Sequence, residues 1–194
     1  MDFGLPLLHY LGEKYLCVGG VLLVKTKKQE ELVNSFLSTL GDEIKPLYQD
    51  IINYLSDLGY VPKKEKENIS FKHDLHNKQI AKMGMKKSKD SSSFIALRFS
   101  ACNGYSQRFT DIVSVTIIKY PSRVAGCISS NCNYCAGEPA THVYSYTFPD
   151  GESRTHCGAY TLEIPDISAD DMEEIMKLIK EEHEYLLEHE TSRK

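Results

Sequence analysis

Four of the six cysteines, Cys127, Cys132, Cys135 and Cys157, fall in one stretch that also holds His142 and His156. Cys132 and Cys135 are two residues apart and are followed by Ala136-Gly137, so one tight turn can bring two thiolates to one metal, with Gly137 taking the positive φ such a turn often needs. A zinc ribbon draws its second pair of ligands from a distant loop. Here that loop offers Cys157-Gly158, and Arg154 stands where a second Cys-x-x-Cys would be completed. The fourth ligand is then Cys127, His156 or His142. Cys127 is preferred, because His156 is next to Cys157 in an expected strand and adjacent strand side chains point to opposite faces. The expectation is a structural zinc held by Cys127, Cys132, Cys135 and Cys157; a closed tetrahedral site leaves no open position for water. A disulfide pair and reduced thiols without metal are the competing readings. Disulfides belong mostly to secreted chains, and nothing marks secretion here. A redox Cys-x-x-Cys lacks the βαβ surroundings it requires.

A second candidate is cationic. The loop Ser100 to Ser106 leads from an expected strand into a helix N-terminus, whose unpaired N–H groups favour anions. Lys72, Lys82 and Arg98 can share the open face of the neighbouring strands. With Ser106 they form an expected anion-binding group for a phosphate, a carboxylate or a nucleic-acid backbone. The loop lacks the glycines of a phosphate-binding or dinucleotide fingerprint. The plainer alternative is a capped helix beside a solvated lysine-rich face. Cys102 with His73 or His76 as base would be a nucleophile, but a lone cysteine beside a core strand is more often buried and inert. His142, His156, Tyr134, Tyr144, Tyr146 and Tyr160 would line a ligand pocket or pack across strands. His183 and His189 are expected at the surface of the last helix. No pair of carboxylates can be placed for hydrolysis.

The charge distribution bears on partners. Residues 1 to 60 carry 5 basic and 8 acidic side chains, residues 61 to 125 carry 13 and 5, and residues 126 to 194 carry 5 and 14. Either basic and acidic faces complement each other within one molecule or across a homodimer, or the basic middle binds an anionic ligand or nucleic acid. No apolar run is long enough to span a bilayer. The start, Met-Asp-Phe-Gly, has no basic n-region or small-residue cleavage site, so the expectation is a cytoplasmic protein with no membrane partner.

The elements that would position these residues follow from periodicity. Tyr15 to Val24 is a buried strand or a short helix. Lys28 to Leu40 is helical and stops at Gly41. In Asp42 to Leu58, Ile44, Leu47, Tyr48, Ile51, Leu55 and Leu58 recur at helical spacing, with Asp42 as N-cap, Pro46 in the first turn and Gly59 at the end. Val61 to Asn68 reads as a charged loop. Ile69 to Asp74, Lys78 to Met85 and Phe94 to Ser100 form an antiparallel meander with one buried face. Tyr105 to Tyr120 is a helix, with Tyr105, Phe109, Ile112, Val113 and Thr116 on one side. Pro121 to Gly126 is the expected boundary between a domain at 1–120 and one at 121–194. Val143 to Phe148 and Ser153 to Ile164 make a hairpin across Pro149-Asp150-Gly151. Ser168 to His189 is a long amphipathic helix capped by Ser168, with a buried stripe of Met172, Ile175, Met176, Ile179 and Leu186. Glu181, Glu182, Glu184 and Glu188 are expected on its solvated face.

Between Leu47 and Tyr120 the chain carries LGYVPKK, SFKHDLHNKQIAKMGMKK, FIALRFSA and YSQRF in order. This succession resembles small bacterial α+β proteins of unknown function, of the YdhG/YjbR-like kind, and the stretch from Cys132 to Glu188 resembles a zinc-ribbon-like appendage. The resemblance implies an antiparallel sheet packed by helices, and brings no catalytic residues with it. The expected fold class is therefore α+β, with a zinc-bound C-terminal hairpin and a long helix. The expected function is a binding or regulatory protein with a basic surface for an anionic partner. The alternatives are an enzyme acting on a small anionic substrate near Lys82, Arg98 and the Ser100 to Ser106 loop, and a self-associating module.

Overall fold

The computed structural model describes residues 15–18, 21–24, 26–86, 92–99, 104–120, 143–148, 150–158 and 160–191. Strands β1 (Tyr15–Val18) and β2 (Val21–Val24) pair antiparallel with each other, so the apolar run there is two strands rather than one element. Helix α1 (Lys27–Leu37) begins in a capping box, in which the Thr26 side chain accepts from Gln29 N–H and the Gln29 side chain accepts from Thr26 N–H. Helix α2 (Lys45–Asp57) starts three residues later than expected. Ile44 is its N-cap and Asp42 makes no cap, while Pro46 sits in the first turn as its fixed φ favours. Gly59 ends it at φ 88°, a conformation that glycine takes without a Cβ penalty.

A five-stranded antiparallel sheet follows, made of four strands consecutive in the chain, with the segment Leu162–Pro165 beside the fourth of them at the far edge. Strand β3 (Tyr60–Glu65) replaces the expected charged loop. It is an edge strand, which is where Pro62 can sit without removing a ladder hydrogen bond and where Lys63 and Lys64 can stay in water. Strands β4 (Asn68–His73), β5 (Gln79–Met85) and β6 (Ser93–Leu97) form the meander. The register shifts between Phe71 and Lys72 opposite β5, and the bulge turns both Ile80 and Ala81 into the core. Helix α3 (Gln107–Lys119) is capped by Ser106, whose hydroxyl accepts from Phe109 N–H, and buries Phe109, Val113 and Ile117.

The C-terminal strands depart from expectation at one place. Strands β7 (Val143–Thr147) and β8 (Ser153–Cys157) form the expected hairpin, with Gly151 at φ 85° in its turn. The second arm does not run on to Ile164. It ends at Cys157, and β9 (Leu162–Pro165) pairs with β6 in the main sheet instead. A 3-10 turn at Ala169–Asp171, boxed by Ser168 and Asp171, leads into helix α4 (Met172–Thr191). The cross-strand rows Ala81–Leu97–Leu162 and Met83–Ile95–Ile164 are buried and join Tyr48, Ile51 and Leu55 of α2 and Ile175, Leu178 and Ile179 of α4 in one core. The chain is thus mixed helix and strand around an antiparallel sheet, the α+β class. Among the described residues no helix is long and apolar enough to cross a membrane.

Candidate functional site

Strand register dictates the floor of a cavity on the other face of the sheet. Lys82 pairs with Ala96 and Ala96 with Glu163; Gly84 pairs with Phe94 and Phe94 with Pro165. Directly paired residues share a face, so these two rows lie side by side. A Cβ at Gly84 would collide with the Asn68 side chain, so glycine there lets Asn68 lie flat on the floor. Helix α3 supplies the opposite wall through Asp111, Ile112, Val115, Thr116 and Lys119, which recur at helical spacing. Together they enclose about 480 Å³, within the range of small-molecule sites. Phe94, Ala96, Ile112, Val115 and Pro165 are apolar; Lys82, Lys119, Thr116, Thr161, Asp111 and Glu163 supply polar groups. Lys82 Nζ is 3.1 Å from Glu65 Oε1, Lys86 Nζ is 2.7 Å from Glu163 Oε1, and Lys119 Nζ lies 5.3 Å from the centre of the Tyr120 ring.

The four residues expected to bind an anion are placed apart. Lys82 lines the cavity. Arg98 is buried, with Nε 3.7 Å from Glu182 Oε2 of α4. Ser106 caps α3, and its N–H and hydroxyl both bond Glu174. Lys72 is half-buried on β4 and does not line the cavity. Ser100 and Cys102 lie outside the described residues. Three basic residues of the middle segment, Lys86, Arg98 and Arg108, pair with Glu163, Glu182 and Asp171 of the acidic C-terminal part. Part of the charge asymmetry is therefore complemented inside the molecule.

Two expectations about α4 are corrected. Glu182 is fully buried rather than solvated, because it faces Arg98. His183 is half-buried, with Nδ1 3.3 Å from the Tyr60 hydroxyl. Tyr60 also packs edge-on against His73 and His76 at 5.0 and 6.1 Å, and the two imidazoles stack 4.0 Å apart with planes 2° from parallel. Burial, then the charges of His73, Lys78, His183 and Arg98, push the His76 imidazole down to about 4. Burial and His73 lower His183 as well. Burial raises the Tyr60 phenol. Neither this cluster nor the α3 wall was read from the sequence. A signal for the wall was present: Asp111, Val115 and Lys119 make a row at intervals of four on a helix whose neighbouring stripe is apolar.

Of the expected zinc ligands, Cys127, Cys132 and Cys135 lie outside the described residues, as do His142 and the expected boundary at Pro121 to Gly126. Cys157 is buried at the end of β8. Its neighbour His156 packs with Tyr144 on Phe99, at ring distances of 5.5 and 5.4 Å from Phe99. Strand alternation therefore turns Cys157 away from His156. Among the described residues no group of three or more His, Cys, Asp or Glu side chains could hold a metal. Arg154, at the position a second Cys-x-x-Cys would need, is bonded to Glu152.

The fold and its cavity define an α+β protein with a small-molecule-sized cleft between a helix and the open face of an antiparallel sheet. Comparison with family models, with curated proteins and with solved structures finds no match to the chain.

Proposed function

We propose that this chain is a binding protein for a small organic anion with an apolar body, seated in the cavity between α3 and the sheet. The observation that carries the reading is the cavity itself, with Lys119 and Lys82, the latter shared with Glu65, beside the apolar surfaces of Phe94, Ile112 and Pro165. Ammonium groups next to hydrophobic walls suit a carboxylate or phosphate attached to an apolar group. Binding is favoured over catalysis because the described lining has no histidine, cysteine or serine, and its carboxylates Asp111 and Glu163 are engaged by Gln107 and Lys86. A nucleic-acid partner is disfavoured by the three ion pairs that engage Lys86, Arg98 and Arg108 internally. A zinc held by Cys127, Cys132, Cys135 and Cys157 would organise the C-terminal hairpin; the turning of Cys157 away from His156 supports cysteine over histidine as fourth ligand. The metal would be structural.

The test is calorimetric titration of the full chain with benzoate, phenyl phosphate, inorganic phosphate and a short DNA duplex. Saturable binding of an aromatic anion, weakened at least about tenfold by Lys82→Met or Lys119→Met and blocked by Ala96→Phe, supports the reading. Binding of the aromatic anions that survives Ala96→Phe would move the site elsewhere. Duplex binding alone, steeply weakened by salt, would replace the reading with a nucleic-acid function.

A further inference from the structure

His73 ends β4 and His76 lies in the turn between β4 and β5; the stacked pair lies outside the cavity described above. Both rings use Nδ1 as an acceptor. Leu75 N–H donates to His73 Nδ1 at 3.3 Å, and Lys78 N–H donates to His76 Nδ1 at 3.2 Å. An Nδ1 that accepts carries no proton, so each ring is held neutral with its hydrogen on Nε2. A second proton on either ring would put N–H against N–H and break a bond that shapes the turn.

The surroundings oppose that proton further. The two rings are in face-to-face contact, so charging both sets like charges about 4.0 Å apart. His76 Nε2 is buried with no hydrogen-bond partner among the described residues. Gly59 closes over His73: a Cβ there would stand 3.0 Å from His73 Nε2, and Gly59 C=O accepts from Asp74 N–H. Among the described residues, the groups facing the pair are Tyr60 of β3, Lys78 of the turn, Arg98 beyond β6, and Glu182, His183 and Glu184 of α4. The one buried carboxylate among them, Glu182, lies 3.7 Å from Arg98. Leu75, at the tip, is 88 % exposed, so little apolar packing resists the turn's release.

We propose that the Asp74–Lys78 turn is an acid-opened latch, in which protonation of the His73–His76 stack breaks the two backbone-to-Nδ1 bonds and releases the turn from Tyr60. The protons come from solvent and no covalent bond changes. The direction follows from linkage. The closed turn binds the His76 imidazole proton more weakly than an open one, in which it titrates near 6.5, so closure is favoured above that pH and weakens as pH falls towards 4.

The test is amide hydrogen exchange on the full chain at pH 7.5 and pH 4.5, read as protection factors at Leu75 and Lys78, with Met83 in the β4–β5 ladder as internal reference. The expected result is a loss of protection of at least about tenfold at the two turn amides between these pH values, with Met83 unchanged. His76→Asn keeps a non-titrating oxygen able to accept from Lys78 N–H, and should hold the Lys78 amide protected at pH 4.5. Turn protection in the wild type that does not change with pH overturns the latch. So does a loss equal in wild type and His76→Asn, or one shared by Met83, which would report global unfolding. The wild-type measurement alone decides if the variant does not fold.

Discussion

The Arg98–Glu182 pair lends itself to a quantitative test. Glu182 is 0 % and Arg98 7 % exposed, and the charged atoms are 3.7 Å apart. At an effective dielectric of about 20, two unit charges at that distance attract by about 4.5 kcal/mol. Desolvating both ions offsets most of this, so the pair adds little net stability over an apolar replacement. Removing one partner is different, because the other charge stays in the interior and loses this ion pair, at a cost of about 3–5 kcal/mol. Arg98→Met and Glu182→Leu should therefore each lower the unfolding free energy by about that amount, a Tm drop on the order of 10 °C for a chain of 194 residues. The double variant should cost at least about 2 kcal/mol less than the sum of the two. The chain has no tryptophan, so urea unfolding is best followed by far-UV circular dichroism. Single costs that add to within about 0.5 kcal/mol in the double variant would refute the coupling and with it the burial of an ion pair between α4 and the residue that follows β6.

Two further outcomes are expected. Asp171 is buried, which raises its carboxyl, but the Arg108 guanidinium and the Ser168 N–H outweigh this and hold it below its usual value. A depressed carboxyl contributes stability above its unfolded value, and that contribution is lost as pH falls through the folded one. Arg108→Met removes two of the influences that hold the carboxyl down, so acid unfolding should begin at higher pH, with a loss on the order of 1–2 kcal/mol at pH 7; an unchanged acid-unfolding profile would contradict this. Protein purified without added metal should contain about one zinc per chain, lost together with hairpin stability on Cys132→Ser or Cys157→Ser; reactive thiols at all four positions in the native chain, with no metal, would remove the zinc module.

Helices were legible in the sequence because their causes are local. Ile51 and Leu55 of α2 recur at 3.6-residue spacing, and Ser168 stands three residues before Asp171, whose carboxylate accepts from its N–H. The meander was legible because Ile69, Phe71, Ile95 and Leu97 alternate with a period of two. Strand β3 was not, since Pro62, Lys63 and Lys64 are turn and surface residues everywhere except at a sheet edge, and only its partner β4 makes that edge. The same holds for β9, which looks like an extension of β8 until β6 offers it a ladder.

The candidate site divides the same way. The sequence by itself determined which residues carry charge, thiol and imidazole, and placed Lys82 on a strand and Lys119 on a helix. Tertiary structure decided that these two line one cavity, that Arg98 and Glu182 meet in the interior, and that His183 reaches a tyrosine 123 residues away. Periodicity reports which face of an element is buried. It carries no information on which other element covers that face, because that depends on chain reversals and strand pairings whose stabilisation appears only once distant segments have met.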